Sequence, residues 1–183
     1  MLKLGLAGTL ALAGGAGLYW NCFRFQVTTN RFALHGLTAP LKVALLSDLH
    51  YGPYMAEGSV AAWVDATMAE SPDLIVLTGD YVDTYNQRPL EPLITELARL
   101  RAPLGVLAVW GNHDYVNRGW HAYLERAFAG IGIRVLRNSG VAVRPDLYVG
   151  GLDDWNLGQP DFAATAGGGA PHQARLLLTH NPD

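Results

Sequence analysis

Four short apolar runs, each cut off by a polar turn, constrain this chain more than any other feature. They are Val43-Ala44-Leu45-Leu46, Leu74-Ile75-Val76-Leu77-Thr78, Gly105-Val106-Leu107-Ala108-Val109-Trp110 and Arg175-Leu176-Leu177-Leu178-Thr179. Runs this short, bounded by turn residues, read as buried strands rather than helices. Between them, residues 58–69 place Val60, Trp63, Val64 and Thr67 on one helical face. Residues 89–101 do the same with Leu93, Leu97 and Leu100, and residues 119–129 give a third helix. Shorter strands are expected at 133–136, 141–143 and 147–149, and the alternating residues 23–29 read as a first strand. Strands that alternate with helices make an α/β fold, a sheet core flanked by helices. Residues 163–171, with Gly167-Gly168-Gly169, read as a flexible loop, and no internal repeat is present.

Each apolar run is followed at once by residues able to bind metal. Asp48 and His50 follow the first, Asp80 the second, Asn112-His113-Asp114 the third and His180 the fourth. Side chains two apart on a strand point the same way, so Asp48 and His50 are expected to face one ion. All four groups stand at the carboxyl ends of expected strands, where ligands gather in open α/β sheets. Carboxylate, amide and imidazole donors suit Mn, Fe, Zn or Mg rather than a soft thiolate site. Taken singly the blocks say little, since Gly-Asp is usually a turn. Their recurrence after one apolar run after another is the informative fact.

In these blocks the chain resembles the calcineurin-like metallophosphoesterase superfamily, whose signature runs D-x-H, G-D, G-N-H-[DE], H and G-H-x-H. The first four stand here as Asp48-Leu49-His50, Gly79-Asp80, Gly111-Asn112-His113-Asp114 and Thr179-His180; the fifth is absent. The stretches 46–52, 72–83 and Gly151-Leu152-Asp153-Asp154 look like the bacterial branch that carries an amino-terminal membrane segment. The resemblance implies a β-sandwich flanked by helices, truncated at the C-terminus. It implies two divalent metal ions, the first held by Asp48 and His50, the second by Asn112 and His180, with Asp80 bridging. His113 would be the general acid, oriented by Asp114. The implied function is hydrolysis of phosphate esters or pyrophosphates by a metal-activated water. The alternative is a truncated, catalytically weak or inactive metal-binding form of the same fold.

The remaining composition sets limits. At 183 residues, 50% hydrophobic and 16% charged, the chain has room for one sizeable domain, read as 24–183, plus a membrane segment at 1–23. Residues 4–19 carry no charge, and Tyr19 and Trp20 suit an interfacial anchor. A retained single-pass helix is the favoured reading, with a lean toward a cytoplasmic catalytic domain; a signal peptide cleaved near Ala11-Leu12-Ala13 is its competitor. Anchoring beside a bilayer makes a lipid-linked phosphate the expected substrate class, alongside small phosphate-containing molecules. A net charge of −3 gives no basic footprint, so nucleic acid is not an expected partner. Cys22 is the single cysteine, which excludes an intrachain disulfide. His35 and His172 read as surface residues and His121 as a helix cap or surface residue. Asp83 reads as a turn or a ligand-orienting residue, and Asp153 and Asp154 as loop-shaping.

Overall fold

The computed structural model describes residues 25–55 and 57–181. The chain divides into two compact units, Met1–Phe32 and Ala33–Asp183. In the first, the described residues 25–32 form no regular element. The strand expected at 23–29 is therefore not formed over its described part, where alternation finds no ladder partner for the backbone. The membrane segment read at 1–23 lies outside the described residues, among which no helix is long and apolar enough to cross a membrane.

The second unit runs β1 (Val43–Leu46), α1 (Glu57–Ala69), β2 (Leu74–Leu77), α2 (Glu91–Leu97), β3 (Val106–Ala108), α3 (Asn112–Val116), α4 (Arg118–Ile131), β4 (Ile133–Val135), β5 (Ser139–Arg144), β6 (Leu147–Gly151), α5 (Phe162–Gly167) and β7 (Ala174–Leu178). The first four strands form one parallel sheet in the order β1-β2-β3-β4, with Leu46 beside Leu77, Leu77 beside Ala108 and Ala108 beside Val135. Their carboxyl ends thus share one edge. The other three strands form a second sheet, β5-β6-β7, in which β6 pairs antiparallel with β5 and parallel with β7.

Strand β2 shows why its sequence is apolar without alternation. All four of its residues are buried, two against each layer. Ile75 and Leu77 join Val60, Val64, Leu93, Leu97, Leu124 and Phe128 in the core under the helices. Leu74 and Val76 join Leu107 and Val109 against Leu147, Val149, Ala174 and Leu178 of the second sheet. A strand covered on both faces has no polar side to show, and each such Leu or Val contributes about 1.5–3 kcal/mol by leaving water. The sandwich with flanking helices is the architecture the resemblance implied.

The helix ends have local causes. Helix α4 starts where the Asn117 side chain accepts from Gly119 N and Trp120 N, and stops at Gly132, whose φ of 80° suits glycine. Helix α2 is shorter than the residues 89–101 expected; Pro92 fits its first turn, and tighter turns follow Leu97, as in Leu100 N to Leu97 O at 3.1 Å. The loop expected at 163–171 is partly helix. Asp161 caps α5 through Ala164 N, buried Thr165 packs beneath Gly150, and Gly168 and Gly169 lie against the Tyr148 ring, where a Cβ would come within 2.6 Å and 2.9 Å. Gly168 and Gly169 serve close packing rather than flexibility.

Candidate metal centre

The ligand-type residues sit beyond the strands, not on them. Asp48, His50 and Asp80 have φ of 56°, 42° and 55°, a left-handed backbone that non-glycine residues rarely take. Strand alternation therefore does not bring Asp48 and His50 together, as the sequence suggested; two tight turns do. The turns are held by zipping the loop after β1 to the loop after β2. Asp48 N donates to Gly79 O at 3.1 Å, His50 N to Asp80 O at 2.9 Å and Tyr51 N to Tyr81 O at 2.9 Å. Strain of about 1–3 kcal/mol per such residue persists where surroundings fix it, typically at functional sites.

Two glycines let the loops after β2 and β3 touch. A Cβ on Gly79, itself at φ 93°, would lie 2.3 Å from Gly111 N, and one on Gly111 would lie 2.3 Å from Asp80 Oδ1. Only bare backbone fits there. That closeness lets His113 N, at the start of α3, donate to Asp80 Oδ1 at 2.9 Å. With one oxygen so held, Asp80 turns the other, Oδ2, toward three imidazoles. Their Nε2 atoms lie at 3.5 Å (His50), 3.5 Å (His180) and 3.9 Å (His113). His50 Nε2 is also 3.6 Å from Asp48 Oδ1.

His180 arrives from the other sheet, at the end of β7. Its Nδ1 lies 2.8 Å from Thr78 O, a carbonyl that can only accept, so Nδ1 carries a proton and Nε2 faces inward. That Nε2 is 3.2 Å from Asn112 Oδ1, an approach that needs either a proton on Nε2 or a cation beside it. Among the described residues the ion pairs of Asp48 and Asp80 are with histidines, not with Lys or Arg. Two groups are close enough to share an ion, Asp48-Asp80-His180 and His50-Asp80-His113, with Asp80 common to both. Concentrated carboxylate and imidazole donors without a lysine or arginine partner fit divalent cations. Asp48, His50, Asp80, Asn112 and His180 thus lie close together, and His113 stands within ligand range beside them.

Comparison with known proteins gives the same reading. The sequence model of calcineurin-like phosphoesterases matches residues 41–182, which contain every one of these residues. The chain belongs to that family. It is 30% identical to an uncharacterised metallophosphoesterase, YkuE, of Bacillus subtilis over 97% of this chain and 65% of that one. It is 31% identical to the phosphodiesterase YaeI of Escherichia coli over 97% of this chain and 67% of that one. It is 30% identical to the UDP-2,3-diacylglucosamine pyrophosphatase LpxG of Chlamydia trachomatis over 75% of this chain and 40% of that one. The chain therefore spans about two thirds or less of these relatives' lengths.

One role read from the sequence changes. Asp114 was expected to orient His113, but it serves the loops instead. Buried at 2% exposure, it accepts from Asp80 N and Gly111 N on Oδ2 and from Tyr81 N on Oδ1, each at 2.9 Å. Burial pushes its carboxyl up to about 7, while the N–H groups of Gly111 and Tyr81 pull it back. The group on His113 Nδ1 is Thr84 Oγ1, at 2.8 Å. Thr84 was missed because a threonine four residues beyond Asp80 has no distinctive pattern. Helix α3 was missed too, being a single turn opened by Gly111.

The other candidates resolve into framework. His121 is no cap, since Asn117 takes that place; its ring lies against Tyr115 and Trp110, and burial lowers its basicity. Asp83 is a turn residue, accepting from Tyr85 N at 2.7 Å. Asp153 accepts from Arg137 Nε at 2.9 Å, Gln159 N at 2.9 Å and the Tyr115 hydroxyl, and Asp154 holds the turn at Asn156 and Leu157. His35 and His172 are exposed.

Proposed function

We propose that this chain hydrolyses a phosphodiester or pyrophosphate bond, with a lipid-linked phosphate as substrate class, in a reaction that depends on divalent cations. The observation that carries the reading is Asp80 Oδ2, set within 3.5–3.9 Å of three imidazole Nε2 atoms and flanked by Asp48 and Asn112. One cation position would draw on Asp48, His50 and Asp80, the other on Asp80, Asn112 and His180. Bound cations supply positive charge that neutralises phosphoryl oxygens and makes a nearby water a stronger nucleophile.

The chain's own groups do the rest. Thr78 O fixes His180, His113 N fixes Asp80, and the left-handed turns hold Asp48 and His50, so the donors are set before anything binds. His113 Nε2 faces the same centre and can hand a proton to the departing oxygen. Support for the lipid-linked class comes from LpxG, named for a diacylglucosamine substrate, and from a relative named as a transmembrane protein with a metallophosphoesterase domain in Danio rerio, 32% identical over 78% of this chain. A membrane location for the chain, through residues 1–23, is part of the same proposal.

The test is hydrolysis by purified protein with Mn²⁺, comparing a nucleotide–lipid pyrophosphate, a simple phosphodiester and a soluble monoester. Cleavage of the lipid pyrophosphate above the other two, abolished by EDTA, is the expected result. Turnover that survives EDTA would remove the metal-dependent reading, and preference for the soluble monoester would remove the lipid.

A further inference from the structure

We propose that Thr84 is the positioning residue for His113, holding the ring so that Nε2 faces the leaving oxygen; this rests on the function proposed above. Three observations converge on Thr84. Its hydroxyl is 2.8 Å from His113 Nδ1, on the side of the ring away from Asp80. The opposite nitrogen, Nε2, is the one that faces Asp80 Oδ2, at 3.9 Å. The His50 ring then meets His113 edge to face, 86° apart with centroids at 4.7 Å, so the imidazole is confined on a third side.

The loop bearing Thr84 is braced, so the hydroxyl is set in place rather than swinging. Asp83 N donates to Tyr51 O at 3.0 Å, and Asn86 N donates to Asp83 O at 3.0 Å. The Asn86 side chain clamps Arg88 through both its backbone groups, at 2.9 Å and 3.0 Å. Gly52 lies beneath, where a Cβ would sit 2.8 Å from Asp83 Cβ. Preorganised outer groups of this kind orient the groups that act.

A hydroxyl suits the task because it can both donate and accept. When His113 carries two protons, Nδ1–H donates to Thr84 Oγ1 and Nε2–H faces the centre. Attack by water forms a new P–O bond while the bond to the leaving oxygen breaks, and the water's surplus proton passes to solvent. That oxygen keeps the bonding pair and takes the Nε2 proton, leaving a neutral ring whose remaining proton stays on Nδ1, donated to Thr84. Valine at 84 would keep the shape and remove the partner.

The test compares wild type, Thr84→Val and Thr84→Ser with Mn²⁺ on two diesters, one with an alkyl leaving group and one with p-nitrophenolate. An alkoxide needs the proton and p-nitrophenolate hardly does. The expected result is a kcat on the alkyl ester about tenfold lower for Thr84→Val, a far smaller change on the p-nitrophenyl ester, recovery in Thr84→Ser, and unchanged Mn²⁺ affinity by calorimetry. A second reading uses metal-free protein. Long-range proton–nitrogen spectra should show His113 Nδ1 hydrogen-bonded in wild type and that bond lost in Thr84→Val. Equal loss on both esters, or weakened Mn²⁺ binding, would overturn the assignment. If wild type cleaves neither ester, the functional reading fails, and the Nδ1 signal still decides whether Thr84 holds the ring.

Discussion

Removing the carboxylate of Asp114 should cost the fold more than it costs chemistry. The side chain is 2% exposed and its two oxygens accept three backbone N–H groups, from Asp80, Tyr81 and Gly111. Each buried donor left without a partner costs about 1–3 kcal/mol. Asp114→Ala strands all three and should lose about 3 kcal/mol or more, a large share of the 5–15 kcal/mol that holds a typical domain. Asp114→Asn is the finer probe. Its carbonyl can keep the Asp80 and Gly111 donors, but its amide then faces Tyr81 N, so the loss should be about 1–3 kcal/mol. Urea unfolding at constant pH gives both values, and hydrogen exchange at the amides of Asp80, Tyr81 and Gly111 locates the damage. The reasoning is refuted if Asp114→Asn unfolds at the wild-type midpoint while turnover collapses. That outcome would return Asp114 to the role of orienting His113.

Three further perturbations test other parts of the account. Gly111→Ala puts a Cβ 2.3 Å from Asp80 Oδ1 and should weaken Mn²⁺ binding by about tenfold or more, read by calorimetry; unchanged affinity would mean that Asp80 is not confined as described. Leu93→Ala removes a fully buried side chain from the core beneath the helices and should cost about 2–5 kcal/mol in urea unfolding, with a value near zero counting against that packing. Asp146 accepts from the Thr38 hydroxyl, Thr38 N and Arg144, which hold its carboxyl well below the usual carboxylate range. A carboxyl depressed in the folded state contributes stability that is present above its unfolded value, near pH 4, and lost as pH falls toward the folded one. The Tm of Asp146→Asn should therefore depend less on pH below about 4 than that of wild type; identical acid slopes would show that this cluster does not couple to folding.

The sequence was most readable where one pattern had one physical solution. The four apolar runs lie on β1, β2, β3 and β7, although Val43 and Leu45 of β1 are exposed; Val60, Val64 and Thr67 are buried with Trp63 half-buried beside them, and Leu93, Leu97 and Leu100 are buried. The grouping around Asp80 was legible because each residue in it follows a strand whose end the parallel sheet, or its partner sheet, brings to one edge. Three features were hidden. The left-handed turns at Asp48, His50 and Asp80 depend on loop-to-loop hydrogen bonds between residues about 30 apart in sequence, which no local pattern encodes. The partner of His113 was assigned to its chain neighbour, Asp114, when a helical turn points adjacent side chains in different directions. The glycines after α5 looked like slack, yet they make room for Tyr148.

In the proposed function Asp80 Oδ2 lies at the middle of a cation site. Diffraction from crystals soaked in Mn²⁺, recorded at the manganese absorption edge, tests it most directly. Anomalous density is expected on both sides of Asp80, one peak against Asp48 and His50 and the other against Asn112 and His180, with His113 close to but outside the coordination shell. A peak coordinated by His113 Nε2, or no anomalous density at Asp80 at saturating Mn²⁺, would contradict it.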